Sequence, residues 1–482
     1  MSNQQNLKKI ITNITTFGSV HIFSLLISII RSKLATLWLG AQGVGFLGLL
    51  TSTFNLIISL TNCGLPASTV RYLSENENLQ SIERISLIQK LSIIIGIIGA
   101  VLCFLFSHQL SMITFDTADY RWAFQLISFS VVMKQITEIY TSIFQSRMEV
   151  KKLANANLTA NIIGILITLP LYYYFHLRGV VYNLIAVGIV EFIVFRIVFR
   201  RLKLKDDKTA LPFNKAKDAK KILGNGLYFN LSNVLNLLSA YIVQIFIRKF
   251  GGLEQTGYYI SGFTILNVYV AIFFTVMSLD YFPRVSRANE NTSELNSEVN
   301  NQLYIGTLIL SPVLILLLLM APAIVAVLYE KSFTDTILYV QLALLGVFFK
   351  LFSWVTGFVI IGKGSRNLIL NNALFFNSLF VVSHILGFYF YGIKGVAIAS
   401  CLYYLCHLIG NYWVTYRAFG LKISRQNIRV FVLSSLMLMG CVALYFSFNS
   451  LMSISSISCI FIACSIWSIR NFLQIIQKKK VE

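Results

Sequence analysis

Acid is what this sequence has least of: 19 Asp and Glu stand against 40 Lys and Arg in 482 residues, and charge of either sign makes up only 12%. Soluble globular domains carry about 25% charged residues, so a solvated domain surface is excluded for most of the chain. The 7 cysteines, at positions 63, 103, 401, 406, 441, 459 and 464, all lie within apolar runs, with no Cys-x-x-Cys and no His at metal-ligand spacing. Neither a disulfide framework nor a zinc site fits that pattern. No cleavable leader is expected either. The first twelve residues are polar, with Lys8 and Lys9, and the apolar run after them is too long for a signal peptide and lacks a small-x-small cleavage site. It reads as an uncleaved first span.

What is there is oil. The chain is 56% hydrophobic with a mean hydropathy of +0.72, the composition of a polytopic membrane protein. A net charge of +21 would suggest nucleic acid in a soluble protein, but here Lys and Arg sit almost wholly in short links between apolar runs, so no nucleic-acid partner is expected. With roughly 20 apolar residues needed per span, helices are expected near 14 to 39, 43 to 65, 86 to 107, 121 to 145, 154 to 175 and 180 to 199. A second set is expected near 223 to 248, 257 to 282, 303 to 328, 338 to 361, 367 to 390 and 395 to 416, followed by 429 to 447 and 454 to 472. Basic residues crowd alternate links: Lys8 and Lys9, Arg71 to Lys90, Arg147 to Lys152, Arg200 to Lys221, Arg284 and Arg287, Lys363 and Arg366, Arg417 to Arg429, and Arg470 to Lys480. The positive-inside rule then puts both termini in the cytoplasm and supports an even number of helices.

The chain also repeats itself. An offset of 216 residues carries Asp119 to Asp335, Gln125-Leu126 to Gln341-Leu342, Lys134 to Lys350, Asn161 to Asn377 and Gly179-Val180 to Gly395-Val396. An offset of 212 carries Asn13 to Asn225, Gly40 to Gly252 and Gly45 to Gly257. Agreement at Asp, Lys, Asn and Gly is harder to reach by chance than agreement among Leu and Ile. Six spans per copy bring both copies into the membrane in the same direction, as parallel repeats. The expected organisation is a six-helix lobe over 1–202, a basic cytoplasmic linker over 203–221, a second six-helix lobe over 222–417, and two further helices with a basic tail over 418–482.

Charges inside the bilayer cost about 2.5 to 3.5 kcal/mol on insertion scales, so they normally face a bundle interior or a wet cavity. On the first helix His21, Ser24, Ser28 and Arg31 recur every three or four residues as one polar stripe, which favours Arg31 over Lys33 as a cavity residue. Lys33 has apolar helical neighbours and can snorkel to the interface. The fourth helix carries Ser130, Lys134, Thr137, Glu138 and Thr141 along one side, and the tenth carries Gly346, Lys350, Ser353 and Gly357. Lys350 has no acid on its own helix, whereas Lys134 has Glu138 one turn away. The repeat places both lysines at equal depth, so that inward-facing copies would enclose a cationic cavity, the alternative being that each pairs with an acid such as Glu138 or Glu191. Glu138, Asp280 and His21 are candidates for ion coupling, each with an adequate structural reading as well. Pro66 and Pro283 are expected to end the second helix of each lobe and to provide a fixed break for a gate.

Several short stretches resemble one family. Leu39-Gly-Ala-Gln-Gly-Val-Gly-Phe46, Gly64-Leu-Pro-Ala-Ser-Thr-Val-Arg-Tyr72, Phe282-Pro-Arg-Val-Ser-Arg287, Lys331-Ser-Phe-Thr334 and Phe349-Lys-Leu351 are similar to bacterial lipid-linked oligosaccharide flippases. The nearest likeness is to the O-antigen and enterobacterial common antigen translocases of the multidrug/oligosaccharidyl-lipid/polysaccharide exporter superfamily. It covers roughly the first 417 residues, and the order of the motifs over two lobes carries it. The final two helices resemble the extra pair found in some members. An ungapped match through Gly43 and Gly45 puts that family's first-helix cation at Lys33, so Arg31 and Lys33 both stand.

The resemblance implies an all-α, MATE-like bundle of about fourteen transmembrane helices in the bacterial inner membrane, two lobes around a central cationic cavity lined by Arg31, Lys33, Lys134 and Lys350. Its cargo would be an undecaprenyl-pyrophosphate-linked glycan moved to the periplasmic leaflet by alternating access. Further partners would be the polysaccharide polymerase and chain-length machinery. No cofactor is expected beyond coupling to H+, Na+ or the membrane potential. A cationic cavity suits pyrophosphate, since Arg grips oxygens bidentately and Lys acts as a point charge. Two rivals differ in chemistry. A drug or cation antiporter of the same superfamily would want buried carboxylates to bind cations, whereas the expected midplane offers Lys134 and Lys350 against Glu138 and Glu191. A membrane-embedded oligosaccharide polymerase would need catalytic groups on a sizeable outer loop, whereas the outward links are short and His108 and His176 stand alone.

Overall fold

A chain this apolar has no water to satisfy its backbone, so each span must close its own hydrogen bonds as a helix. The computed structural model describes residues 3–75, 79–202, 215–288, 292–363, 366–447 and 450–481; the side chains before Phe23, His21 among them, lie outside the described set. Every regular element among the described residues is helical. In order these are α1 (Asn3–Thr61), α2 (Leu65–Ser74), α3 (Ile82–Leu105), α4 (Ser107–Phe115), α5 (Arg121–Ser146), α6 (Val150–Arg200) and α7 (Lys215–Thr264). There follow α8 (Ala271–Arg287), α9 (Thr292–Leu328), α10 (Thr334–Gly362), α11 (Arg366–Phe419), α12 (Arg425–Ser447) and α13 (Ser450–Val481). A π-helical segment, Ile265–Tyr269, joins α7 to α8.

Among the described residues, nine helical stretches are long and apolar enough to cross a membrane. Four of them, built on α1, α6, α7 and α11, are each broken once inside, at Gly40, His176, Gly252 and Tyr391-Gly392. The 26-residue α5 is outside the nine, because Lys134, Gln135, Glu138 and a row of Ser and Thr dilute its apolar character. Counting each broken helix twice and adding α5 gives the fourteen expected spans. The links are so short that a single residue turns the chain.

Those breaks repeat with the sequence. Gly40 and Gly252, 212 apart, adopt φ 65°, ψ −171° and φ 79°, ψ 178°, a region open almost only to glycine. His176 and Gly392, 216 apart, adopt φ 45°, ψ −124° and φ 58°, ψ −142°. Across the latter two breaks the halves fold back on each other. The Thr168 hydroxyl donates to Asn183 at 2.8 Å, and His384 meets the Ser400 hydroxyl at 3.0 Å.

By its contacts the chain divides into two units, Met1–Gly257 and Tyr258–Glu482. In the first, α5 packs against α2, α3 and α6 around Tyr72, Ile85, Ile143, Phe144 and Phe195. The N-terminal part of α7 belongs to this unit. It is tied there by Ser68 donating to the Ile222 carbonyl at 2.5 Å, by Lys221–Glu75 at 2.7 Å and by a bond between the Thr114 and Tyr241 hydroxyls at 2.6 Å. Arg84, expected among the link cations, is instead buried. Its guanidinium meets Tyr72 Oη at 3.1 Å and Asp218 at 3.4 Å, so its charge is compensated by a carboxylate.

In the second unit α10 packs on α9 and α11, while α12 and α13 pack on α9. Asn296 and Asn300 on α9 accept the backbone N–H groups of Lys422 and Ser424 at 2.9 and 2.7 Å, fixing the start of the last helix pair.

The two prolines do not behave as the sequence suggested. α1 ends at Thr61, the break lies at Asn62 to Gly64, and Pro66 sits in the first turn of α2, where a missing N–H costs nothing. Pro283 is inside α8, which runs through it to Arg287. The irregular backbone in that region is the π segment, more than ten residues earlier. Neither proline ends a helix.

Candidate functional site

Helix α10 approaches α11 closely because its facing residues are small. A Cβ on Gly346 would lie 3.0 Å from the Ser400 carbonyl oxygen and 3.1 Å from Cys401 Cα. Two turns on, Ser353 offers its carbonyl to the Asn411 amide at 3.1 Å, and Gly357 faces the same asparagine. The stripe Gly346, Lys350, Ser353 and Gly357, which would bound a cavity if it faced inward, packs on α11 as a seam of the kind small residues make in membranes. Lys350 is the one bulky member.

Its ammonium leaves the seam sideways, half-buried. Lys350 Nζ donates to Asn267 Oδ1 at 3.0 Å and lies 5.5 Å from the ring centroids of both Phe274 and Tyr404. Asn267 stands within the π segment, whose widened turn closes on itself through Val270 N–H to Ile265 O at 3.1 Å. Single π turns recur at functional sites. Among the described residues no carboxylate forms an ion pair with Lys350, and its other two N–H donors have no hydrogen-bond acceptor. His407 lies about one turn beyond Tyr404 on α11, and its Nδ1 is buried without a hydrogen-bond partner. The ring is wedged against Phe376, centroids 4.3 Å apart, and stacks on Tyr403 at 5.6 Å.

The first unit holds the equivalent seam with different chemistry. Ser130 faces Gly188, and one turn on Lys134 Nζ meets Glu191 Oε2 at 2.9 Å. Glu138 lies one turn beyond, accepting from Asn62 Nδ2 at 3.4 Å at the break that ends α1. An offset of 216 takes Ser130 to Gly346, Lys134 to Lys350, Gly188 to Tyr404 and Glu191 to His407. The lysine is kept; its counter-ion is not. Lys134 has the acid partner that one reading of the sequence allowed, and among the described residues Lys350 has none.

Arg31 sits half-buried between α1 and α6. Its Nη2 would be 3.4 Å from a Cβ on Gly164, so the glycine leaves room for the guanidinium, and its Nε and Nη2 are buried without hydrogen-bond partners. Lys33 is half-buried two residues on. Asp280, one of the coupling candidates, is exposed and pairs with Arg284 at 3.0 Å, which also binds Glu298 and, at 2.9 Å, Gln302. That carboxylate is occupied by a local ion pair. His21 lies outside the described side chains.

Four residues at the site were not foreseen: Asn267, Phe274, Tyr404 and His407. For His407 a signal existed, since mapping Glu191, itself recognised as a partner for Lys134, through the repeat leads directly to it.

Comparison with known proteins fits this architecture. A protein family described as polysaccharide biosynthesis protein matches residues 34–338. An inward-facing multidrug resistance MATE family transporter of the MOP superfamily superposes with a TM-score of 0.70 at 14% identity, over 84% of this chain and 97% of its own. The lipid II flippase MurJ in an inward closed conformation gives 0.71 at 15% identity, over 95% and 99%. A MOP superfamily transporter from Pyrococcus furiosus, whose binding pocket is described as reversed in polarity, gives 0.61 at 15%, over 83% and 95%. No curated protein matches the chain by sequence. At such identities the likeness is one of fold.

Proposed function

The chain belongs to the polysaccharide biosynthesis protein family, and from that premise we propose that it is a flippase for an undecaprenyl-pyrophosphate-linked oligosaccharide, carried from the cytoplasmic to the periplasmic leaflet of the inner membrane by alternating access. The observation that carries this reading is Lys350: a half-buried ammonium on a membrane-spanning helix, held by one amide oxygen and two aromatic rings, with no carboxylate ion pair among the described residues. An unneutralised cation at that depth is costly. It is best explained by an anionic cargo that supplies the missing charge, as the phosphoryl groups of a lipid-linked glycan would. Arg31, with two buried and unpartnered guanidinium nitrogens, is a second candidate for the same oxygens.

The structural likeness to a lipid II flippase supports the class of cargo, and the likeness to drug transporters keeps an antiporter in view. Against the antiporter, Glu191 is already paired with Lys134 and Asp280 with Arg284, so Glu138 is the acid left to couple transport to H+ or Na+. The test is surface glycan display. Lys350→Ala should abolish display of the exported polysaccharide in cells while the protein's abundance in the membrane stays near normal. Normal display by that variant would overturn the assignment.

A further inference from the structure

Within the first unit, the glycine-rich stretch Leu39–Phe46 meets its own repeat. The 212 offset carries Gly40 to Gly252, Ala41 to Leu253 and Gly45 to Gly257, and these equivalent residues lie face to face. A Cβ on Gly45 would collide with the Leu253 carbonyl oxygen and lie 3.0 Å from Gly257 N, while a Cβ on Gly257 would collide with the Ala41 carbonyl oxygen and lie 3.2 Å from Gly45 N. The contact is reciprocal: each backbone sits in the space that the other's glycine leaves. We propose that this glycine pair is the outer seal of the transport path, which closes only because neither residue has a side chain, and which parts each time cargo leaves. The proposal holds whatever the cargo is.

Position and energetics both suit a gate. The breaks at Gly40 and Gly252 each come one span after a basic link, Lys8 with Lys9 and Arg200 to Lys221, so both belong to the outer end. The carbonyls and amides that meet there lie in helical stretches and are bonded along their own helices, so the contact adds packing and no new hydrogen bond. Such a contact is tight when closed and easily parted. What fastens it is close by: Arg248, one turn before Gly252 and buried, pairs with Asp116 at 3.5 Å and donates to the Ile113 carbonyl at 3.2 Å. Two turns deeper the Tyr241 and Thr114 hydroxyls bond at 2.6 Å, and Thr114 meets the buried Thr53 at 3.3 Å. Asp116 is largely exposed, so its ion pair with Arg248 is one that water can replace.

The test reads access from outside and needs no cargo. In the full-length protein with its native cysteines replaced, Thr53→Cys places a thiol two turns below Gly45, where an impermeant thiol reagent added to intact cells should label it slowly. Gly45→Ala and Gly257→Ala each put one methyl into the contact and should raise that rate about tenfold, by shifting the population toward the parted state. Since an added methyl can also unfold a chain, Asp116→Asn loosens the fastening with both glycines in place, and it should raise the rate as well, by a smaller factor. A protein keeping only the native Cys103, buried in the same unit, separates opening from unfolding, because its labelling should not change in any of the three variants. Faster labelling at 53 with Cys103 silent is the expected result. No rise at 53 in any variant, or a rise matched at Cys103 in all three, overturns the seal.

Discussion

At the scale of single residues, two lysines that the repeat makes equivalent carry opposite obligations. Lys134 neutralises Glu191 and stands one turn from Glu138, so Lys134→Met would leave two acids facing each other without a cation. The pair is half-buried, and the loss should destabilise the protein by about 2 kcal/mol, less than the 3 to 5 kcal/mol of a fully buried pair. Lys350→Met should be neutral or stabilising, because it removes an unpaired cation from an apolar setting. Thermal unfolding in detergent decides: a lower Tm for the Lys134 variant and an unchanged or higher one for Lys350 is expected, and the reverse order would contradict the account. That the two lysines occupy equivalent places in the repeat was readable from sequence; the acid-free helix expected around Lys350 was not what forms, since α10 starts earlier, at Thr334, and carries Asp335 in its first turn. Asn267 was not readable, since it is set by a π turn that no local pattern announces, and His407 was reachable only by carrying Glu191 through the repeat.

Among elements, the α10–α11 seam sets the site. Gly346→Val should force the helices apart, since even its Cβ would press on the α11 backbone at 3.0 Å, whereas Gly357→Ala should be tolerated, its nearest neighbour being the Asn411 amide at 3.6 Å. Membrane abundance and Tm should fall for the first and hold for the second; equal behaviour would mean that the seam does not position Lys350. Fourteen apolar periods were legible because each needs about 20 residues of oil. What was hidden is how they join. Gly40, His176, Gly252 and Gly392 turn the chain with one residue or two, so that paired spans run almost continuously, and hydropathy does not report backbone dihedrals. Pro66 and Pro283 misled for a related reason. A proline forbids one donor, but the first turn of α2 needs none there and α8 gives up one bond without breaking.

For the whole molecule, duplication explains both the likeness and the divergence of its parts. The repeat kept the break at Gly40 and Gly252, the turn at His176 and Gly392, and the lysine at 134 and 350, while replacing Glu191 with His407. Family membership and fold were legible because they are spread over hundreds of residues; the chemistry of the site rests on a handful and needed the packing to be seen. The central claim is that the uncompensated charge at Lys350 draws an anionic lipid-linked glycan across the bilayer. The most direct measurement reconstitutes the purified protein in liposomes with an undecaprenyl-pyrophosphate-linked oligosaccharide and follows the fraction of glycan reachable by an impermeant lectin. Wild type should equilibrate the glycan between leaflets, Lys350→Arg should retain part of the rate, and Lys350→Ala should fall to the protein-free rate. Flipping by Lys350→Ala at the wild-type rate would contradict the account.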